Sequence, residues 1–274
     1  VYGLVKAPGY GWTDAHTIGF LSLAAILLIG FVINEARAKN PLMPLHLFKI
    51  RNLVGADSMM LFMTAGMFSV FFFTTLYLQE VLGYTPIHTG MSFLVVPIVV
   101  GIVATNVPRI IKKVGYKPIL VVAPLFVSAG LFYLSKIPVN GTFWGNVAPG
   151  LILLGIGMGA TFVSVTIAAT SGVRGDESGV ASGLLNTSQQ VGGAIGLAVL
   201  TGIAASATTE YIKNLNLLSR PTREQVAAAT VHGFQKGYLI AATFGIIASI
   251  IATLVIKQRK GDKTELSQAD MAGV

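Results

Sequence analysis

The side chains of this sequence that could do chemistry are polar groups embedded in long apolar segments. Residues 178–201 contain no charged side chain, and as a helix they are long enough to cross the apolar core of a bilayer, which is about 30 Å thick. Ser178 and every fourth residue after it up to Gln190 are polar, so these groups fall on one face of the helix. Because lipid offers no hydrogen bonds, such a face must meet protein or water.

Two interpretations of this face stay open. In the first, the helix is packed on one side and wet on the other, and the polar groups line a substrate cavity. In the second, they only hydrogen-bond neighbouring helices. The small-residue pairs Gly179/Gly183 and Gly192/Gly196 predict close contact with another helix in either case. The predicted cavity residues of this segment are Ser182, Asn186, Gln189 and Gln190.

A second apolar segment, residues 53–78, carries a stripe of methionines. Met59, Met63 and Met67 recur every four residues, and Tyr77 adds aromatic surface beyond them. Methionine is flexible and polarizable, so Met-rich surfaces suit the binding of varied apolar molecules. We predict that these four residues line a cavity for apolar, often cationic, molecules. The alternative, favoured by the general frequency of such residues in spans, is that they fill a core or face lipid.

Asp57 is the only carboxylate that we place inside a span. An ionisable group in that position is costly, so a partner or a function is expected for it. One possibility is that it binds a proton or attracts a cation. The alternative is an ion pair at the membrane surface with Lys49 or Arg51, which we favour because Asp57 lies within about two turns of the end of its segment.

The other charged residues lie mostly in short loops between apolar segments. We expect those of the hairpin at 171–177 to pair with one another or with the basic loop at 108–118. Exposed ion pairs contribute less than about 1 kcal/mol, so a role in conformational bias is expected rather than one in stability. The predicted gating residues are Arg109, Lys112, Lys113, Arg174, Asp176 and Glu177.

The composition predicts a polytopic membrane protein. Of the 274 residues, 53% are hydrophobic and 11% are charged, whereas soluble domains carry about 25% charged residues. The net charge is +8, but the basic residues are not interleaved with exposed aromatics, so no nucleic-acid partner is predicted. With no cysteine and no clustered histidine, we predict no disulfide and no metal site. No phosphate-binding motif is present: the glycines of residues 155–159 lie inside an apolar segment and predict helix packing.

Seven segments are predicted to span a membrane as helices. Their approximate ranges are 17–33, 53–78, 90–107, 119–134, 147–169, 178–201 and 234–256. Around them we place an external loop at 1–16, a cytoplasmic linker at 34–52 and a polar cytoplasmic tail at 257–274, with a six-helix domain at 53–256. In the loop at 208–233, Thr222 and Gln225 form a capping box that predicts a short, separate amphipathic helix.

The distribution of basic residues predicts the orientation. Thirteen Lys and Arg fall on the side of the linker, the loops at 108–118 and 171–177 and the tail, against six on the other side. The positive-inside rule therefore places the C-terminus in the cytoplasm. An odd number of spans and a start at Val1 predict a portion of a longer protein.

Four stretches resemble the major facilitator superfamily. The loop at 108–118, with the two residues after it, is similar to its signature loop G-x-L-a-D-r-x-G-r-K-x-x-L: Gly115, Lys117 and Leu120 match, whereas Pro108 replaces the first Gly and Lys112 replaces the Asp. Residues 40–48, 77–90 and 178–199 look like parts of its fourteen-span drug:proton antiporter family, and they occur in the order of that family.

The resemblance implies an all-α fold. The first span would be one of two extra central helices, and the other six would be the C-terminal half of a transporter, built from two inverted three-helix repeats. The missing N-terminal half carries the better-known proton-coupling motifs of the family. By the same resemblance, Gln79 is a better cavity candidate than Glu80.

The implied function is proton-coupled efflux of small, mostly apolar or cationic drugs across the bacterial cytoplasmic membrane by alternating access. The implied partners are a small-molecule substrate, a proton, the missing N-terminal half and the lipid bilayer, with no cofactor and no enzymatic activity. The alternatives are an exporter of a lipid, peptide or metabolite on the same fold, or a membrane scaffold or sensor that transports nothing.

Overall fold

The chain is all-helical throughout the residues that the structure, a computed structural model, describes, which are 14–38, 43–215 and 221–258. Seven helical segments within these ranges are long and apolar enough to cross a membrane, as predicted. The main helices are α1 (Ala15–Arg37), α2 (Arg51–Leu76), α3 (Pro86–Phe93), α4 (Val95–Val114), α5 (Tyr116–Leu134), α6 (Ala148–Thr170), α7 (Ser178–Asn214) and α8 (Arg223–Leu254). Helices α3 and α4 together form one span.

Helix α1 is apolar but almost entirely exposed, as Leu28 at 65% exposure illustrates. An apolar helix with no buried stripe suits lipid or another part of a larger protein on every side. Glu35, near the end of α1, is an exception to this exposure. The Glu35 side chain is only 5% exposed, and its Oε2 accepts a hydrogen bond from the backbone N–H of Met43 at 3.0 Å, which ties the helix to the linker that follows.

The other six spans form one bundle with an internal exchange symmetry. In this symmetry α2 corresponds to α6, α4 to α7 and α5 to α8. Helix α2 packs on α7 and α8, and its counterpart α6 packs on α4 and α5. Helices α7 and α8 also pack on each other within their own group, whereas their counterparts α4 and α5 barely touch. Two further pairings, α2 with α6 and α5 with α8, join helices that are equivalent to each other. Apart from the contact of α7 with α8, the partners in these pairs come from different three-helix groups, so the groups α2–α5 and α6–α8 interlock rather than stand side by side. This is the pairing expected of two three-helix repeats related by a pseudo-two-fold axis.

Glycines set the closest approach between α7 and α2. A Cβ added at Gly192 would overlap the backbone of Leu61, and one added at Gly196 would overlap the backbone of Ala65. This pair therefore packs as predicted. The pair Gly179/Gly183 does not, because an added Cβ would meet nothing within 4 Å at either position.

The three glycines of residues 155–159 also serve packing. A Cβ added at Gly155 would lie 3.0 Å from the side chain of Val99 in α4, and a Cβ added at Gly159 would lie 2.9 Å from the backbone of Val100. At Gly157 it would meet Val127 of α5 at 2.5 Å. Helix α6 thus fits between α4 and α5 because alternate glycines leave room for each.

Two local features shape the span of α3 and α4. The helix breaks at Leu94, three residues before Pro97, whose missing N–H removes one bond of the helical ladder. The span ends at Gly115, which has a φ of +88°. Only glycine adopts this conformation readily, so the glycine of the signature-like loop is needed for the reversal into α5.

The predicted loop at 208–233 is wrong in extent. Helix α7 continues to Asn214 and α8 begins at Arg223. The capping box of Thr222 and Gln225 is confirmed, but the helix that it starts runs without a break into the seventh span. No Gly or Pro interrupts residues 223–232, so polar turns simply extend the membrane helix beyond its apolar part.

Candidate functional site

The polar face of α7, which consists of Ser182, Asn186 and Gln190, is exposed on the surface of the bundle. The hydroxyl of Ser182 donates to the carbonyl of Ser178 in its own helix at 3.0 Å. Within the described ranges, neither Asn186 nor Gln190 makes a side-chain hydrogen bond to another helix. Their polar groups are therefore free for water, a substrate or a further part of the protein. Gln189, between the polar face and the contact with α2, is partly buried.

The methionine stripe of α2 lies inside the bundle. Met59 is 0% and Met63 is 4% exposed, and both belong to the apolar core, while Met67 is partly buried at its edge. This is the placement that the core-filling alternative describes. Their role in a cavity stays a prediction.

At the other end of the same segment, Tyr77 is buried and structural contacts account for it. Its hydroxyl donates to the carbonyl of Pro138 at 2.7 Å, in the turn between α5 and α6. Gln79 follows in a π-helical turn, Tyr77–Val81, and is partly buried. One turn before, Thr74 shares a hydrogen bond of 2.8 Å with Tyr238 of α8, a pair that sequence patterns did not reveal.

Asp57 lies in α2 on the side of α7, where Ser188 is the polar side chain that interacts with its carboxylate. Its Oδ1 is buried without a hydrogen-bond partner among the described residues. The ion pair of Asp57 with Lys49 or Arg51 that the sequence favoured is not found among the described residues, because the guanidinium of Arg51 binds backbone carbonyls elsewhere. The Nε of Arg51 donates to the carbonyl of Val255 at 2.6 Å, and Nη2 donates to that of Leu254, both at the end of α8.

One end of the bundle, here called the basic end, carries Arg51, Lys117 and Arg174. The residues that follow α8 are hydrogen-bonded to this end. Asn52 donates to the carbonyl of Lys257 at 2.8 Å, and the backbone N–H of Lys117 donates to Gln258 at 3.3 Å. The predicted polar tail therefore begins with anchored residues, while residues 259–274 lie outside the described ranges. These contacts join the start of α2, the loop before α5 and the end of α8.

The charged hairpin before α7 forms a second cluster at the basic end. Nη2 of Arg174 donates to Oε1 of Glu177 at 2.7 Å, and Asp176 is 3.8 Å from the same guanidinium. The hydrogen bond and charge of Glu177, followed by the charge of Asp176, raise the pKa of Arg174. Nε2 of His46 lies 3.1 Å from Oε2 of Glu177, which connects the linker to the hairpin across 131 positions.

In the basic loop, Arg109 donates to Asn106 of its own helix at 2.9 Å, and Lys112 and Lys113 lie at the surface. The hairpin pairs within itself and with His46. A gating role for any of these charges stays a prediction.

We expect the substitution Glu177→Gln to free the linker, because it removes the carboxylate that both His46 and Arg174 approach. The measurement is limited trypsin digestion, with faster cleavage after Lys49 as the expected result. Asp176→Asn is the matched control, since its side chain is 74% exposed and should leave the cleavage rate unchanged. Equal rates for the two variants would show that the cluster does not hold the linker.

No group of three or more His, Cys, Asp or Glu side chains that could hold a metal ion occurs in the part of the chain that the structure describes. The arrangement instead offers uncharged polar groups on a helix face, a partly buried carboxylate inside a span, Asp57, and a charged network at one end.

Interlocked three-helix repeats and an exposed polar helix face define a polytopic membrane protein of the transporter class. Residues 3–197 match the family model described as Major Facilitator Superfamily. The chain therefore belongs to the major facilitator superfamily, a family of transporters. The fold is that of the C-terminal six helices of this superfamily with one additional helix, as predicted.

Several relatives are named for drug resistance or export. The chain is 35% identical to the tetracenomycin C resistance and export protein of Streptomyces glaucescens, over 75% of this chain and 38% of the relative. It is 29% identical to a puromycin resistance protein of Streptomyces alboniger, over 99% of this chain and 54% of the relative. It is 30% identical to the multidrug resistance protein Stp of Mycobacterium tuberculosis, over 77% and 39%. The chain thus spans about half the length of the curated relatives it matches, or less.

Proposed function

We propose that this chain is the C-terminal part of a proton-coupled exporter of small, mostly apolar or cationic drugs. The relatives support drug efflux, since their names state resistance to, or export of, antibiotics and other drugs. Alternating access would rock this six-helix bundle against an N-terminal half around a central site. The basic end would face the cytoplasm, and the bundle would sit in the bacterial cell membrane.

The observation that carries the proposal is the exposed polar face of α7. Three uncharged polar side chains lie along a membrane-spanning helix without a hydrogen-bond partner on another described helix. Left against lipid, the two amides, Asn186 and Gln190, would each cost roughly 1–3 kcal/mol of desolvation, which favours contact of this face with water, solute or protein. A second six-helix half opposite this face would enclose a wet cavity there.

The superfamily also supports a second substrate class. Two relatives carry names that state export of an antibiotic, a tetracenomycin and a cephamycin. An exporter of such a metabolite would use the same polar face and the same rocking motion. The difference lies in the molecule carried and not in the architecture.

Efflux of ethidium, a lipophilic cation, from cells that express the full-length gene tests the proposal. We expect faster dye loss than from cells with an empty vector, and abolition of this difference by a protonophore. Efflux that survives the protonophore would contradict proton coupling. A full-length protein at normal abundance that moves neither ethidium nor an apolar dye would contradict drug efflux and leave the metabolite as substrate.

A further inference from the structure

The contact between α2 and α7 is a regular seam with one contact per helical turn. The two helices start at the same end of the bundle and run parallel, and Leu61 meets Gly192 where Ala65 meets Gly196. Each step along the seam is four residues on both helices. One step back towards the basic end, the same register pairs Asp57 with Ser188, and these two side chains do interact. The carboxyl group therefore lies one helical turn from the close contact between Leu61 and Gly192.

No charge compensates this carboxyl group among the described residues. Arg51 of the same helix is bonded to the carbonyls at the end of α8, and Lys49 is exposed. On the α7 side, Glu177 is bonded to Arg174 and His46. The facing side chain, Ser188, is uncharged, and helix α6, which packs on α2, offers the buried hydroxyls of Thr161 and Ser164.

The chemistry of the site follows from this isolation. A carboxylate oxygen that is buried without a hydrogen bond loses its hydration and receives nothing in return. Binding one proton converts the group to a neutral acid and removes the buried charge. The neutral acid donates its O–H to the hydroxyl oxygen of Ser188, whereas the carboxylate accepts the hydrogen of that hydroxyl.

We propose that Asp57 is a proton-binding residue and that the seam between α2 and α7 responds to its protonation. The glycines leave no slack in the seam, so a change of charge and of hydrogen-bond direction at Asp57 acts directly on how α7 lies against α2. Helix α7 also carries the polar face, which places the proton site and the candidate cavity on one element. The proposal that Asp57 binds a proton does not depend on the proposed function, whereas a role of this proton in transport rests on it.

Infrared spectroscopy of the purified full-length transporter in lipid nanodiscs tests the proton site without any substrate. Titration between about pH 5 and 9 should reveal a carboxylic-acid C=O band that disappears as pH rises, and Asp57→Asn should lack this band. Glu80→Gln is the matched control, because Glu80 is an exposed carboxylate at the far end of the same span, and it should keep the band. Ser188→Ala should shift the band or its midpoint, which provides a reading if Asp57→Asn fails to fold.

A second measurement tests whether substrate binding is coupled to the release of the proton from Asp57. Binding of ethidium to the wild type should release protons, detected with a pH-indicator dye in weak buffer, and Asp57→Asn should release about one proton fewer per molecule bound. A band and a proton release that are the same in the wild type and in Asp57→Asn would overturn the inference. Failure of ethidium efflux with an intact Asp57 band would instead count against the proposed function and leave the proton site in place.

Discussion

The substitution Gly196→Ala is expected to destabilise the folded transporter by about 3 kcal/mol, at the upper end of the cost of overpacking. One methyl group placed there would overlap the Cα, Cβ and backbone oxygen of Ala65, and backbone atoms cannot rotate away as a flexible side chain can. Helices α2 and α7 would have to separate, which also weakens the contact of Leu61 with Gly192. The measurement is the midpoint of thermal unfolding of the full-length protein in detergent.

Gly183→Ala is the matched control because it lies on the same helix and an added Cβ would meet nothing within 4 Å. Alanine is more favourable than glycine in a helix by up to about 1 kcal/mol, so this variant should be unchanged or slightly more stable. The two substitutions thus have opposite expected signs for the same chemical change. A Gly196→Ala protein as stable as the wild type would mean that α2 and α7 are not in close contact at Ala65.

The second large effect is expected on transport. In the double variant Asn186→Leu with Gln190→Leu, the polar face of α7 loses its two amides, and ethidium efflux should fall at least about tenfold, since one net hydrogen bond to a solute or its water corresponds to roughly 1.4 kcal/mol. Thermal stability should stay near that of the wild type, because neither amide bonds to another helix in the described bundle. Efflux rate at matched expression is the measurement.

Val191→Leu is the control for this experiment, since Val191 is an exposed apolar residue of the same helix and the change keeps the surface apolar. Its efflux should match the wild type. If the double variant also exports ethidium at the wild-type rate, the polar face does not line the substrate path. Cysteines introduced along it should then resist labelling by a water-soluble thiol reagent, and the 274 residues of this chain contain no cysteine of their own.

The sequence allowed prediction of the membrane spans because apolar segments of sufficient length can form little else in a bilayer. It also predicted the capping box at Thr222 and the packing role of the glycines at 155–159, since both depend on local spacing. The ends of spans were harder. Residues 208–214 and 223–233 are polar enough to be a loop, yet they stay helical because nothing in them breaks the backbone ladder.

The candidate site, too, could be predicted from the sequence only in part. Periodicity placed Ser182, Asn186 and Gln190 on one face, and the structure shows that face exposed. Periodicity also predicted a face of methionines, but it cannot say whether a face meets a cavity or a core, and Met59 and Met63 are in the core. Proximity along the chain suggested Arg51 as partner of Asp57, whereas the guanidinium reaches Val255, 204 positions away.

By itself, the sequence determined the class of protein, the number of spans and the face of each helix on which a side chain falls. All three depend on hydropathy and on the fixed rise and turn of a helix. The tertiary structure alone decided that Gly192 and Gly196 pack while Gly179 and Gly183 do not, that Glu177 holds His46, and that Asp57 faces Ser188. The physical reason is that helical periodicity fixes directions about one axis, and only the packing of several axes decides which neighbour occupies each direction.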